Sequence, residues 1–336
     1  MIDRRALLGG ALGLGLLATA RASDAQGWGD PPSPATGDPD APFWPPRESY
    51  RLWPKGPPGA PKALPAANWT MNGPRGAREL WIRGVPYPEL HVYRAPRPDG
   101  SALLSLPGGG YGFLSVQNEG IDVAQHFNAW GTTVFVLTYR LPGEGWADRH
   151  LVPLQDTQRA MRTIRARAAD FRIDPKRLGV LGFSAGGHLA ADLAVAHDER
   201  TYAPVDEIDR QSARPAWAGL VYPVTSLRPR PGQRGGSSGM LFGESGDAPA
   251  LVAARSPVLH VNAQTPRSFL VHALDDPVVP LENVTEWIAA SRAAKVPVEA
   301  HIFSEGGHGF GLHLPKENPG SRWPELLNLW MRRNGG

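Results

Sequence analysis

From residue 102 onward the chain alternates two hydrophobic rhythms. Short apolar runs of strand type stand at 132–139 (TTVFVLTY), 178–182, 217–222, 268–273 and 298–303. Between them apolar residues recur every three or four positions. Val123, Phe127 and Trp130 share one helical face, and Leu154, Met161, Ile164, Ala168 and Phe171 trace a longer helix that Asp174-Pro175 stops. Further helices are predicted from the small residues after 184 to about 196, over 281–294, and from about 324 to 332. Strands alternating with helices predict an α/β fold, a mostly parallel sheet with helices on both faces.

Two regions depart from this rhythm. Upstream, 79–85, 90–94 and 102–106 are short, partly alternating segments split by Pro and Gly, which predicts an opening antiparallel meander. Downstream, 225–266 is rich in Pro, Gly, Ser and Arg. It reads either as a disordered insertion or as a lid or rim over a site. From 23 to about 65 the chain is dense in Pro, Gly and Asp, which favours irregular, extended backbone. Residues 23–75 are therefore expected to form a leader, with Phe43, Trp44 and Trp53 packing on a catalytic domain that runs from 76 to 336. No internal repeat is evident.

Composition narrows the chemistry. The formal net charge of +3 over 336 residues, with basic residues scattered, argues against a nucleic-acid partner. There is no cysteine, which excludes a cysteine nucleophile, thiolate metal sites and disulfides. The histidines lack H-E-x-x-H or similar spacing, so no catalytic metal is expected. At the N-terminus, Arg4-Arg5 precedes an uncharged apolar run over 6–20 and the small-residue site Ala20-Arg21-Ala22. That predicts a signal peptide over 1–22, of twin-arginine type, and a periplasmic or secreted product without a membrane anchor.

The candidate chemistry lies where strands end. Residues 182–186 (GFSAG) follow an apolar strand and precede a helix, the pattern of a nucleophile elbow with Ser184 at its apex. The same G-x-S-x-G pattern recurs at 235–239, but no strand leads into it, so that copy reads as loop. A serine hydroxyl needs a base, and His308 in the glycine-rich 305–311 is the best candidate. A carboxylate must orient the base, and Asp275 and Asp276 both follow the strand at 268–273. The order Ser, Asp, His is that of an α/β-hydrolase triad. Residues 106–111 (LPGGGY) follow another strand. The amides of Gly109 or Gly110, with that of Ala185, are placed to form an oxyanion hole. Tyr111 reads as a pocket-lining ring able to stack on a sugar. Asn118 and Glu119 read either as sugar contacts or as helix caps, while His188 and His272 read as structural.

These segments together carry a resemblance. PGGGY at 107–111, NEG at 118–120, YRL at 139–141, Gln155-Asp156 with Arg159-Ala160, GFSAGGH at 182–188, His272-Ala273 with DDPVVP at 275–280, and GGHGF at 306–310 stand in the order found in exported α/β-hydrolase esterases. The chain is similar to the acetyl xylan esterases of the BD-FAE-like and hormone-sensitive-lipase-like branches, over roughly 80–312. Leu52-Trp53-Pro54, with the glycines that follow, resembles the leader of that group. The resemblance implies hydrolysis of acetyl esters on plant cell-wall polysaccharide (xylan, xyloglucan) or oligosaccharide, without a cofactor. Laid on the family's H-G-x-x-D-x-x-V-P segment, it implies Asp276 as the acid and Asp275 as a turn-capping neighbour. The chain departs from the pattern at Ala273, where glycine is usual, and at Pro107, where the lipase-like branch has histidine. Other expectations are a general small-ester carboxylesterase, or a prolyl-oligopeptidase-like peptidase, for whose propeller the chain has no room. A non-catalytic glycan-binding protein would usually have lost one of Ser184, Asp276 and His308.

Overall fold

The structure is a computed structural model describing residues 38–74, 78–228, 237–243 and 248–334. The expected signal peptide over 1–22 lies outside them, as do Gly235 and Gly236 of the second G-x-S-x-G copy.

Among the described residues eleven strands form two sheets: β1 (Ser49–Arg51), β2 (Asn68–Asn72), β3 (Glu79–Arg83), β4 (Glu89–Tyr93), β5 (Ala102–Leu106), β6 (Leu114–Ser115), β7 (Thr133–Thr138), β8 (Leu178–Phe183), β9 (Ala218–Val221), β10 (Ser268–Ala273) and β11 (Val298–Phe303). The helices are α1 (Asp122–Asn128), α2 (Val152–Ala166), α3 (Ala168–Phe171), α4 (Ser184–Ala196), α5 (Ser237–Phe242), α6 (Pro249–Ala254), α7 (Glu282–Ala293) and α8 (Trp323–Arg333). The main sheet has eight strands in the order β1-β4-β7-β5-β8-β9-β10-β11, and β2-β3-β6 form a small second sheet. From β7 to β11 every pairing is parallel, as the alternating rhythm predicts. Strands β5, β7, β8, β9 and β10 are buried along their whole length, which is why the last four read as apolar runs of strand type.

Side-chain contacts fix the two helical layers. Phe183 of β8 meets Trp323 of α8, which also packs on Phe127 of α1. Gly182, one residue back and so on the opposite face, lies against Gly186 and Ala190 of α4. Helix α4 is buried from Ala185 to Ala194, and its sequence is accordingly apolar nearly all round.

Three expectations need correction. The upstream strands are not a meander: β3 belongs to the small sheet, β4 pairs antiparallel with β1 and β7, and β5 runs parallel to β7 and β8. Alternation reports one buried face and says nothing of which neighbour a strand chooses. The long helix breaks at Arg167 (φ −110°, ψ 18°), and α3 ends on left-handed Arg172 before Asp174 caps a new turn. The 23–75 segment supplies β1 and β2, and Trp53 is buried in the main core while Phe43 is exposed.

Sheet topology locates the site. The chain passes from β5 outward to β7, returns across β5 to β8, and then proceeds to β11. The winding reverses between β5 and β8, so a crevice opens at their carboxyl ends. Residues 107–113 leave one of these ends and Ser184 the other.

Candidate active site

The elbow is a close-packed turn. Ser184 has φ 51°, a left-handed value that a non-glycine residue adopts only under constraint. The flanking glycines are required by contact: a Cβ on Gly182 would lie 2.1 Å from the Gly186 carbonyl oxygen, and one on Gly186 would lie 2.1 Å from that of Leu106. The strand-to-helix reversal therefore has room for hydrogen atoms alone at these positions, and the serine is pushed outward at the start of α4.

Three strand ends converge on it. Ser184 Oγ is 2.9 Å from His308 Nε2, and His308 Nδ1 is 2.8 Å from Asp276 Oδ2. Asp276 also accepts the amides of Val278 and Val279 at Oδ1. Burial alone would raise its carboxyl, but the His308 bond and charge and these two amides together hold it below the usual carboxylate range. An ionised Asp276 can only accept, so His308 Nδ1 donates, which leaves Nε2 facing the Ser184 hydroxyl. Asp275 does another job: its Oδ1 accepts the amide of Gly307 at 2.8 Å, tying down the loop that carries the imidazole. His272 bonds the Val279 carbonyl at 3.0 Å and shapes the Asp276 turn from below.

On the β5 side, Gly108 stands with its Cα against Ser184, where an added Cβ would lie 3.0 Å from Ser184 Cβ. The Gly108 amide donates to Glu119 Oε2 at 2.6 Å. The amides of Gly109, Gly110 and Ala185 make no hydrogen bond within the described residues. Ala185 sits in the first turn of α4, where N–H groups lack intrahelical acceptors. Nothing lies within 4 Å of where a Gly110 Cβ would be, so the loop faces open space there. Free amides on both sides of the serine suit an oxyanion. Among the described residues no group of three His, Asp or Glu side chains is placed to hold a metal ion.

Three expected substrate contacts are corrected. Tyr111 is 1% exposed: its hydroxyl bonds His188 Nδ1 at 2.7 Å and its ring packs on Tyr139, leaving no face for a sugar. Asn118 is buried, and its amide donates to the Gly309 carbonyl at 2.8 Å. Glu119 is 3% exposed and also accepts the hydroxyl of Tyr222 at 2.8 Å. All three brace the site from behind. In 225–266, the described α5 brings Met240 near Gly112 of the loop after β5, and Arg149 bonds the Met240 carbonyl. The second copy's Ser237 opens that helix, which corrects the loop reading.

Sequence reasoning gave no site role to three aromatic residues, although Tyr139 stood in the YRL match. Tyr139 donates to the Pro107 carbonyl at 2.6 Å, Tyr222 accepts the Gly311 amide at 2.9 Å, and Trp323 donates to the Gly311 carbonyl at 2.7 Å. Tyr139 and Tyr222 immediately follow β7 and β9, and that position at a strand's carboxyl end was the available signal. Trp323, on α8, had none.

Residues 101–289 match the BD-FAE family. The chain belongs to the BD-FAE family. The matched span takes in the glycine-rich loop after β5, Ser184 and Asp276 and stops before His308. Among curated proteins, this BD-FAE chain is similar to an acetylxylan esterase of Xylanibacter ruminicola, 33% identical over 225 residues that cover 66% of this chain and 44% of that one. It thus spans less than half the length of that relative. Among solved structures it is similar to an acetyl ester-xyloside bifunctional hydrolase from Caldicellulosiruptor lactoaceticus, with 36% identity, a TM-score of 0.66, and 74% of this chain and 89% of that chain covered. An α/β hydrolase from a Medee basin deep-sea metagenome library aligns with TM-score 0.54 and 25% identity over 81% of this chain and 99% of its own. The fold is the α/β-hydrolase fold.

Proposed function

We propose that this protein is a serine carboxylesterase that removes acetyl groups from plant cell-wall glycans, acetylated xylan or xyloglucan or their oligosaccharides. The observation that carries the reading is the chain of contacts Ser184–His308–Asp276 beside the unpaired amides of Gly109, Gly110 and Ala185. The names of the relatives supply the acetyl ester and the xylan.

In the proposed reaction Ser184 Oγ attacks the acetyl carbonyl carbon as its proton passes to His308 Nε2. The amides stabilise the charge that develops on the carbonyl oxygen, and Asp276 stabilises the imidazolium. The sugar hydroxyl leaves with the proton from Nε2, giving acetyl-Ser184. Water then repeats the sequence, with His308 again as base, and releases acetate and free serine. Export by the twin-arginine route to the periplasm or beyond would bring the enzyme to its polymer, with a mature N-terminus near Ser23.

Hydrolysis of 4-nitrophenyl acetate by the purified protein and by Ser184→Ala tests the chemistry, with an expected loss of at least about 10⁴-fold. Retained activity would remove Ser184 from the mechanism. Asp276→Asn is expected to cost about 10³- to 10⁴-fold in kcat and Asp275→Asn far less. Acetate release from acetylated xylan, xyloglucan, pectin and simple esters tests the substrate. A simple ester turned over faster than every glycan would make this a general carboxylesterase.

A further inference from the structure

Residues 117–121 form a π-helical turn ahead of α1, a wider turn that often occurs at functional sites. Three successive polar side chains fan out from it. Gln117 accepts the amide of Leu80 in β3, Asn118 reaches the carbonyl of Gly309 in the His308 loop, and Glu119 reaches the amide of Gly108 in the oxyanion loop. Its own backbone is anchored by Ser105 of β5, whose hydroxyl donates to the Glu119 carbonyl at 2.6 Å. Gly120 lets the turn press on β7, where a Cβ would meet Val136 at 2.7 Å.

Resting on the esterase reading above, we infer that Glu119 is a positioning residue whose carboxylate holds the oxyanion loop and the His308 loop in register across Ser184. One oxygen accepts Gly108 N–H at 2.6 Å; the other accepts Tyr222 O–H at 2.8 Å, and Tyr222 accepts Gly311 N–H at 2.9 Å. A single buried group thus connects the donors for the developing oxyanion with the loop bearing the base. Tyr222 itself has φ 37°, a strained backbone between β9 and the site, and its ring packs on His308 and Phe310. Strain of this kind persists where surrounding contacts over-determine it.

A carboxylate is needed for this geometry. Both of its partners donate, and a glutamine in its place has one acceptor and one donor. With its oxygen toward Gly108, its amide nitrogen would face a Tyr222 oxygen that already accepts from Gly311. The hydroxyl hydrogen of Tyr222 would then have no acceptor. Burial pushes the Glu119 carboxyl up to about 7, against the lowering effect of the Gly108 and Tyr222 bonds; Glu79 raises it and His308 lowers it. No salt bridge reaches it among the described residues, so the protein holds this costly group with neutral donors alone.

The test compares wild type, Ser184→Ala, Glu119→Gln, Tyr222→Phe and the double variant on 4-nitrophenyl acetate, with inhibition by phenylboronic acid as a tetrahedral mimic. Glu119→Gln is expected to lower kcat about 10²-fold with KM within about threefold, since misplacement of about 1 Å costs about that much in rate. Boronate affinity should fall alongside kcat. Tyr222→Phe keeps the Gly108 bond and loses the link to Gly311, so a loss of about 10-fold is expected, and the double variant should fall no further than Glu119→Gln. A Glu119→Gln protein that is folded by circular dichroism and keeps kcat and boronate affinity within twofold would overturn the inference. So would a loss confined to KM, or fully additive losses in the double variant. If Glu119→Gln does not fold, Tyr222→Phe decides by the same split of kcat from KM. Inactive wild type unlabelled by a fluorophosphonate would overturn the esterase reading and this inference together, whereas active wild type with dead Ser184→Ala and unimpaired clamp variants would overturn this inference alone.

Discussion

At the scale of single residues, the site is built by what glycine omits. Gly186 approaches the Leu106 and Pro107 carbonyl oxygens so closely that a Cβ would stand 2.1 and 2.6 Å from them, both backbone atoms that cannot swing aside. Gly186→Ala is therefore expected to force β5 and α4 apart, costing about 3 kcal/mol of stability by analogy with overpacked cores and removing most activity. Gly110→Ala meets nothing within 4 Å and carries only the strain of a left-handed φ of 62°, about 1 kcal/mol. Urea denaturation of both variants checks the ranking, and equal losses would refute it. The elbow was legible in the sequence because its glycines sit at a fixed offset from the serine, between a strand and a helix. The clamp was not: a buried Glu119 accepting from Tyr222 depends on two residues about a hundred positions apart, and no local pattern announces such a pair. For the same reason Tyr111, an aromatic ring next to the oxyanion loop, read as a sugar platform until its hydroxyl was found on His188.

At the scale of elements, the parallel half of the sheet was readable and the antiparallel half was not. Strands β7 to β10 are buried on both faces and separated by helices, so their order follows from crossover connections. Strands β3, β4 and β5 have similar apolar patterns and part company only in three dimensions. The Pro-rich segment before them carried no periodicity, yet it is bolted in through buried charge. Trp53 Nε1 donates to Asp156 Oδ1 at 2.7 Å, Arg140 also binds Asp156 and reaches the Pro58 carbonyl, and Arg159 bonds the Leu52 carbonyl. Trp53→Phe loses the donor and replaces the buried indole with a smaller phenyl ring. It should cost about 1 to 3 kcal/mol in denaturant unfolding while leaving kcat within twofold, because the bond lies in α2's packing and outside the catalytic crevice. A loss of kcat without loss of stability would show that this segment shapes the site.

At the scale of the whole molecule, buried titratable groups set the response to pH. Burial depresses His91 from 6.5 to about 3, and it lowers His188 and His272 as well. A base depressed in the folded state leaves stability intact above its unfolded value of 6.5 and removes it as pH falls, since the unfolded chain binds the proton that the folded chain refuses. Glu119 runs the other way: raised from 4.5 to about 7, it contributes fully below about 4.5 and loses that contribution as pH climbs through 7. The histidines outnumber it, so unfolding free energy is expected to fall from pH 7 to pH 4.5. His91→Gln should shrink that fall by about 2 kcal/mol, as the shift of His91 implies. An unchanged difference between urea curves at the two pH values would show that His91 does not carry it.

The Trp323 bond to the Gly311 carbonyl makes the last helix a latch on the His308 loop. During synthesis the proposed activity should therefore be silent until α8 has emerged, since Ser184, Asp276, His308 and Trp323 are made in that order. A product clipped before α8 would keep Ser184, Asp276 and His308 and lose the indole that holds their partner loop in place. Proteolytic nicking ahead of α8 would then register as lost activity and, because Trp323 also packs on Phe183 and Phe127, as lost stability.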